Sequence, residues 1–401
     1  MTSKLPETFT LRLLPFIKWL QRLGILMLLC SSLLSTASAA DPERASSADA
    51  GKAWAYFAWW LPQSWRSAPL AQLDRLLFFE LKVSPQGLIT ERNGWPEKWG
   101  DLRESLRKTA TPLDLVLTVL NERDFQSVFS SQGATRQLLE QAAALSSDPS
   151  VAGLHLDFEV YSAAPLAVQA RFRQFVIDLS GTLRAQSPAK NLSVFLPIGG
   201  EAQIYDLRSI AAVNHVVAQG YDAHWSSGPN AGPVAPLDGE NRVTWKKATK
   251  QALALGIKRD KLILSYPLYG YEWPTLDKDP RGLTRGLGVT TTLAPVDPQF
   301  LPAIQTNVQD RIRLFGANND ALSGSSYYQF QKNGRWITGW YEGQWALGKK
   351  MSYMHEQRLG GMAFFLMGYD EGKVLEAYFR LRGTQKIRRC LGSCPPRAAA
   401  L

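Results

Sequence analysis

Apolar residues in this chain are grouped into short runs that recur along most of its length. Several runs, such as 113–120 and 192–198, are almost continuously apolar, which is typical of parallel strands covered on both faces. Between the runs, apolar residues recur every three or four positions, which predicts helices at 134–145, 166–186 and 244–255. The predicted strands are 54–60, 76–83, 113–120, 151–160, 192–198, 215–221, 262–269 and 361–367.

Eight strands that alternate with helices predict an α/β fold, a (β/α)8 TIM barrel. The spacing is broken once, between residues 269 and 360, which is far more chain than a crossover helix needs. We therefore expect a small α+β insertion, at about residues 275–338, in the loop after strand 7.

One predicted strand carries three ionisable side chains at alternate positions, His155, Asp157 and Glu159. Side chains two residues apart on a strand point to the same face. The segment is thus either a strand with one face in water or a strand that presents an acid/base site. The apolar neighbouring strands favour the site, and active sites of such barrels lie at the C-terminal ends of strands.

The start of the chain has the pattern of a secretory signal peptide. Lys18 and Arg22 precede a short apolar core, and Ala37-Ser38-Ala39 follows it, so we expect cleavage after Ala39 and a secreted or periplasmic protein. The alternative is an uncleaved membrane anchor, although the apolar core is shorter than a spanning helix needs. The predicted organisation is a signal peptide at 1–39, a linker at 40–52, the barrel at 53–380 and a basic tail at 381–401.

The net charge of +10 comes mostly from the two ends of the chain. Residues 1–39 hold four basic residues and one acidic residue, and six basic residues but no acidic residue follow Glu376. The central region is therefore nearly neutral, and nothing in it indicates binding to nucleic acid. The tail either contacts an anionic envelope polymer or is a solvated end. Its Cys390 and Cys394 are expected to form a local disulfide if the protein is exported, with metal binding as the alternative.

Several segments resemble glycoside hydrolase family 18, the chitinase-like enzymes. Ala152-Gly-Leu-His-Leu-Asp-Phe-Glu159 resembles the fourth-strand pattern Asp-Gly-x-Asp-x-Asp-x-Glu of that family and matches it at the glycine, the last Asp and the Glu. Gln219-Gly-Tyr-Asp222 is similar to the sixth-strand Met-x-Tyr-Asp. Segments 266–273, 340–342 and 360–370 resemble the seventh strand, the entry to the last helix and the eighth strand of the family.

The resemblance implies an exported hydrolase of β-linked N-acetylglucosamine-containing glycans, acting by substrate-assisted retaining catalysis. Glu159 would be the acid and then the base, Asp157 would orient the acetamido group, and Tyr221 would bond its oxygen. Other residues would bind the substrate: Asp222, His155, Gln219, Phe365, Trp225 and Tyr269. No metal or organic cofactor is implied, and we expect a monomer. The alternatives are a catalytically weak or inactive, lectin-like barrel, and an envelope scaffold held by its tail.

Departures from the family pattern affect the expected activity. His155 replaces an Asp, and it would either donate to Asp157 and favour its charged form, which predicts a slower enzyme with a shifted pH profile, or pack as a neutral group. Phe365 replaces the tryptophan that usually floors the sugar site, and Gln219 replaces the Met. Tryptophans 59, 60, 225 and 273 would either line a sugar cleft or serve the structure.

Overall fold

The computed structural model describes residues 51–200 and 204–392, with side chains described as far as residue 384. The predicted signal peptide, most of the predicted linker and Cys394 lie outside the described residues, as does the side chain of Cys390. Among the described residues, no helix is long and apolar enough to cross a membrane.

Strands and helices alternate along most of the described chain. The strands are β1 (Lys52–Ala58), β2 (Arg75–Val83), β3 (Ile89–Glu91), β4 (Leu113–Val119), β5 (Gly153–Phe158), β6 (Asn191–Leu196), β7 (His215–Ala218), β8 (Leu262–Pro267), β9 (Tyr269–Thr275), β10 (Val289–Thr292), β11 (Asn318–Asp320), β12 (Ser325–Lys332), β13 (Arg335–Tyr341) and β14 (Gly361–Phe365). The helices are α1 (Gly100–Thr109), α2 (Glu122–Ser130), α3 (Gln132–Ser146), α4 (Leu166–Ala185), α5 (Leu207–Ala212), α6 (Trp245–Ala254), α7 (Val308–Phe315), α8 (Gln344–Glu356) and α9 (Lys373–Gly392).

Eight parallel strands form a closed barrel in the order β1-β14-β8-β7-β6-β5-β4-β2, and pairing of β1 with β2 closes it. Helices connect the strands and cover the outside of the barrel, so the predicted TIM barrel is confirmed. Most residues of the barrel strands are apolar because both faces of each strand are covered, and every residue of β4 and β5 is buried. The short strand β3 pairs antiparallel with the end of β2.

The insertion after the seventh barrel strand is a second, antiparallel sheet in the order β10-β9-β13-β12-β11, with α7 beside it. Its first strand in the chain begins at Tyr269, and only Leu268 separates it from Pro267, the last residue of β8. The chain leads from this sheet back to the barrel through α8, and a fully buried ion pair holds this connection, with Lys350 Nζ 2.5 Å from Glu342 Oε2. Glu342 also accepts from the Ala235 N–H at 3.2 Å, which ties this connection to the loop before α6.

The ends of the barrel meet through the first strand and the last helix. Lys52 of β1 is in register with Gly361 of β14. Tyr378 Oη of α9 donates to the Lys52 carbonyl at 3.2 Å, and Arg382 forms an ion pair of 3.0 Å with Asp74. The closure of the barrel thus depends on contacts between its first and last elements.

Most predicted strands end earlier in the structure than in the sequence pattern, and for two of them this changes where predicted site residues lie. The fourth begins at Gly153 because Val151 N–H bonds the Asp148 carbonyl in a turn, and it ends at Phe158, one residue before Glu159. The sixth ends at Ala218, so Tyr221 and Asp222 lie in the loop that follows. The functional residues predicted at these strand ends therefore lie on loop backbone at the mouth of the barrel.

Candidate active site

The ionisable side chains of β5 face the interior of the barrel. His155 is fully buried, Asp157 is 4% exposed, and Glu159 beyond the strand end is partly exposed. On the other face, Phe158 packs against Phe125 and Phe172 of the outer helices. The segment is not a strand with one face in water, because both faces are covered by protein.

Glu159 is held at the mouth of the barrel by its backbone and by a tyrosine. Its N–H donates to the Val119 carbonyl at 2.9 Å, which continues the β4–β5 ladder by one residue. Tyr161 Oη donates to Glu159 Oε2 at 3.2 Å. Burial raises the pKa of Glu159, the hydrogen bond from Tyr161 lowers it, and the negative charge of Asp222 raises it again. A raised pKa lets a carboxylic acid keep a proton that it can donate.

Asp157 lies below Glu159 on the same face of β5. Its Oδ1 atom is buried and has no hydrogen-bond partner among the described residues. Burial raises the pKa of Asp157 well above its usual value, and the neighbouring carboxylates of Glu159 and Glu80 raise it further. An unpartnered buried carboxylate oxygen is costly, and it is available to a ligand that brings a donor.

His155 uses both ring nitrogens within the barrel core. Nε2 lies 3.0 Å from Tyr56 Oη, and Nδ1 lies 2.9 Å from Ser193 Oγ. Burial, with a smaller contribution from the positive charge of Arg75, lowers the pKa of His155 to about 3, so the imidazole is neutral near neutral pH. Because both ring nitrogens are engaged with Tyr56 and Ser193, the expectation that His155 donates to Asp157 is wrong. The assignment of His155 as a substrate-binding residue stays a prediction. The alternative prediction, a neutral hydrogen-bonded group, describes the structure.

The loop after β7 brings Asp222 to the same mouth. Its backbone is left-handed, with φ of 59°, and its Oδ1 accepts from Tyr269 Oη at 2.6 Å and from Tyr271 Oη at 3.3 Å. Aspartate adopts this conformation more readily than most residues. Burial raises the pKa of Asp222, and these two hydrogen bonds lower it. Tyr269 and Asp222, which are both predicted to bind substrate, are thus hydrogen-bonded to each other.

Gln219 and Glu159 share the hydroxyl of Tyr161. Gln219 Oε1 accepts from the Ile198 N–H at 3.0 Å and lies 3.1 Å from Tyr161 Oη. A tyrosine hydroxyl has one proton, so it can donate to one of the two oxygens at a time. When Glu159 is protonated, it can donate to the Tyr161 oxygen while Tyr161 donates to Gln219.

Aromatic rings pack around the site floor. The Phe365 ring is partly exposed, and it stacks on Tyr221 with ring centroids 5.8 Å apart and an interplanar angle of 29°. It contacts the edges of Tyr56 and Tyr269 as well. The partly exposed Phe365 ring thus lies beside Tyr221, and its role as a sugar platform stays a prediction.

The predicted tryptophans have different environments. Trp225 is 42% exposed and lines a cavity of about 360 Å³ together with His224, Asn230 and Arg281. Trp273 is fully buried against Trp340, so its predicted place in a sugar cleft is wrong.

Sequence reasoning missed two residues that contact the site. Tyr161 follows Glu159 by two positions but lies outside the strand, so the alternation of β5 does not include it. Glu80 of β2 is 6% exposed and accepts from Thr118 Oγ1 at 2.9 Å. A signal for Glu80 was available, since it is the charged residue within the apolar run 76–81.

Comparisons with known proteins agree with the barrel fold. The family model for glycosyl hydrolases family 18 matches residues 54–370. The putative sporulation-specific glycosylase YdhD of Bacillus subtilis (strain 168) is 24% identical over 324 residues, which cover 76% of this chain and 69% of that protein.

Two solved structures share the fold. A chitinase from Cycas revoluta in complex with (GlcNAc)3 has a TM-score of 0.67 at 18% identity, over 84% of this chain and 99% of that chain. The Bacillus cereus spore cortex-lytic enzyme SleL has a TM-score of 0.62 at 17% identity, over 82% of this chain and 74% of that chain.

Proposed function

The chain belongs to glycosyl hydrolases family 18 and is a glycoside hydrolase, and from this we propose that it cleaves β-linked glycans containing N-acetylglucosamine by substrate-assisted retaining catalysis. The observation that carries the proposal is the pair of Glu159 at the barrel mouth and Asp157 beneath it, whose pKa values are both raised. Groups with raised pKa values at the C-terminal end of barrel strands are suited to proton transfer.

In the first step Glu159 acts as the general acid. It gives its proton to the glycosidic oxygen, the bond from that oxygen to the anomeric carbon breaks, and the acetamido oxygen of the same sugar attacks that carbon. The sugar thus supplies the nucleophile, so a second carboxylate on the opposite side of the ring is not needed. In the second step the Glu159 carboxylate takes a proton from water, which opens the oxazolinium ring with net retention.

Asp157 and Tyr221 act on the acetamido group. The unpartnered Oδ1 of Asp157 accepts from the acetamido N–H, and the negative charge of Asp157 stabilises the positive oxazolinium ion. Tyr221 donates to the acetamido oxygen and keeps it directed at the anomeric carbon. Phe365, which stacks on Tyr221, provides an apolar surface below the sugar ring.

Tyr161 and Gln219 assist Glu159 as its charge changes. Tyr161 donates to the Glu159 carboxylate once the proton has left, and it donates to Gln219 while Glu159 holds the proton. The exchange needs rotation of one hydroxyl and no movement of the backbone. It makes the loss of the Glu159 proton less costly without removing the raised pKa that burial provides.

The candidate substrates are chitin-like oligomers, peptidoglycan and an exopolysaccharide that contains N-acetylglucosamine. All of these occur outside the cytoplasm, in keeping with the signal peptide predicted at 1–39, and we propose a secreted or periplasmic monomer. The predicted basic tail would contact an anionic envelope polymer.

Replacement of Glu159 by Gln tests the proposal, because the amide keeps the shape of the side chain and cannot supply the proton. Purified protein is incubated with each of the three glycans, and new reducing ends and their anomeric form are measured. We expect hydrolysis with retention by the wild type, and a loss of about 10²- to 10⁴-fold in kcat in the Glu159→Gln variant. The control is Glu140→Gln, which makes the same change on an exposed face of α3. Glycan binding without cleavage that depends on Glu159 would favour the lectin-like alternative.

A further inference from the structure

We propose that Glu80 is a positioning residue of this site: from the second barrel strand it supplies the negative charge that holds a shared proton on Asp157 and Glu159, in place of the acid that the family pattern has at position 155. The inference rests on the proposed function, in which Glu159 must be protonated to act. It assigns a role to a residue on a strand that the family motif does not include.

The local path of β2 directs Glu80 toward the acids of β5. The register between β2 and β4 is regular from Leu76 to Phe78 and again from Leu81, and it shifts between these positions. Such a bulge re-aims a side chain that an unbroken ladder would place on the other face. Glu80 lies within this irregular step and is 6% exposed.

A threonine on the strand between them connects Glu80 to the level of Asp157. Thr118 of β4 is in register with Asp157 of β5, and its Oγ1 donates to Glu80 Oε2 at 2.9 Å. The Glu80 carbonyl accepts from Asn93 Nδ2 at 2.8 Å, which fixes the backbone at the same point. Thr118 thus holds the Glu80 carboxylate at the level of Asp157, and Asn93 holds the Glu80 backbone.

No basic side chain neutralises this group of acids by an ion pair within residues 51–200 and 204–384. Lys82, the cation closest in sequence to Glu80, forms its own ion pair with Glu91 at 3.0 Å, where both side chains are about half exposed. Other titratable groups act on these acids: Lys82 and Glu91 on Glu80, and Tyr161 and Asp222 on Glu159. Burial raises the pKa values of three tyrosines that face Asp157, and the charge of Asp157 raises them further: Tyr56, Tyr205 and Tyr221.

The charge of Glu80 has a definite effect on the two acids of β5. Asp157 and Glu159 interact strongly, so their protons belong to the pair. Burial raises the pKa of Glu80 as well, and the hydrogen bond from Thr118 lowers it. Once ionised, Glu80 makes it harder for the pair to lose its last proton, and its charge is among the causes that raise the pKa of Asp157. Position 155 holds a neutral imidazole and cannot do this. Glu80 therefore extends the pH range in which Glu159 can act as an acid.

The first test is the pH profile of kcat/KM for Glu80→Gln. We expect its alkaline limb to move to lower pH by on the order of one unit, because the amide removes the charge that holds the proton. Glu97→Gln is the matched control, since it makes the same change at an exposed position soon after β3, and its limb should stay in place. Glu80→Asp keeps a carboxylate and should keep most of the alkaline range. If Glu80→Gln does not fold, Thr118→Val removes the hydrogen bond that lowers the pKa of Glu80 and should move the limb in the same direction.

An unchanged limb in Glu80→Gln would overturn the proposal, as would a change confined to KM, which indicates direct contact with substrate.

A second test does not require hydrolysis. The free energy of unfolding is measured in urea for wild type, Glu80→Gln, Asp157→Asn and the double variant, at pH 8 and pH 4. At pH 8 we expect Glu80→Gln to stabilise the wild-type background more than the Asp157→Asn background, and this difference should vanish at pH 4, where the carboxyls are protonated. Equal effects in both backgrounds at pH 8 would refute the link to Asp157. If the wild type cleaves no glycan, the proposed catalysis fails while this cycle still decides the role of Glu80.

Discussion

Replacing Tyr161 with Phe should move the alkaline limb of hydrolysis to higher pH, opposite to the effect expected for Glu80→Gln. The Tyr161 hydroxyl donates to Glu159 Oε2 and lowers the pKa of that carboxyl. Without this donor the charged form of Glu159 loses a stabilising contact, so the acid keeps its proton to higher pH. The alkaline limb of the pH profile, which reports loss of the proton from Glu159, therefore moves to higher pH.

The size of the shift follows from the hydrogen bond. A hydrogen bond to a charged group contributes about 1.5–3 kcal/mol, and one pKa unit corresponds to about 1.4 kcal/mol. The oxygens are 3.2 Å apart, which is long for a hydroxyl donor, and the same proton is shared with Gln219 at 3.1 Å. The lower end of the range applies, and we expect a shift of about one pH unit.

The assay is kcat/KM between pH 4 and pH 10 on a chromogenic N-acetylglucosamine oligosaccharide. Tyr327→Phe is the control, because Tyr327 lies on the second sheet against Trp340 and the substitution removes the same hydroxyl. Unfolding of each variant in urea excludes a loss of folded enzyme as the cause. A limb that stays in place or moves to lower pH would refute the account of how Tyr161 acts on Glu159.

Two further variants test the buried groups. His155→Asp removes the contacts with Tyr56 and Ser193 and buries a carboxyl, so it should cost about 1–3 kcal/mol of unfolding free energy at pH 7, measured in urea. The added negative charge should also move the alkaline limb of the pH profile to higher pH, and a profile identical to that of the wild type would contradict this. Lys350→Met leaves Glu342 buried without the cation that pairs with it, and it should cost about 3–5 kcal/mol of unfolding free energy in urea. Adding Glu342→Leu should restore most of this loss, and equal stability of Lys350→Met and wild type would contradict the reasoning.

The barrel was predictable because most of its strands are apolar runs that are covered on both faces. The run at 113–120 became β4 at Leu113–Val119, and the helix predicted at 166–186 became α4 at Leu166–Ala185. The long spacing between residues 269 and 360 also predicted that an insertion follows the seventh barrel strand. The second sheet begins at Tyr269, two residues after β8 ends, whereas the insertion was predicted to begin at about residue 275.

The site was predictable along one strand and less so between strands. Alternation on β5 placed Asp157 and Glu159 on one face, because that relation is local. The partners of His155 come from β1 and β6, and the approach of Glu80 depends on an irregular step in β2, so neither relation has a local pattern. Trp273 shows the same limit, because a tryptophan in a sheet can cover a core or a cleft, and its burial depends on the facing sheet.

The contacts that close the barrel determine when this protein can become native during synthesis. β1 needs both β2 and β14 as neighbours, and Gly361–Phe365 is made more than 300 residues after Lys52. A nascent chain that has reached α8 still exposes one edge of β1 and one edge of β8, so the cylinder stays open on the ribosome. Contacts this distant in sequence make folding slow, and they leave a long interval in which the chain can be bound by a chaperone or translocated while unfolded.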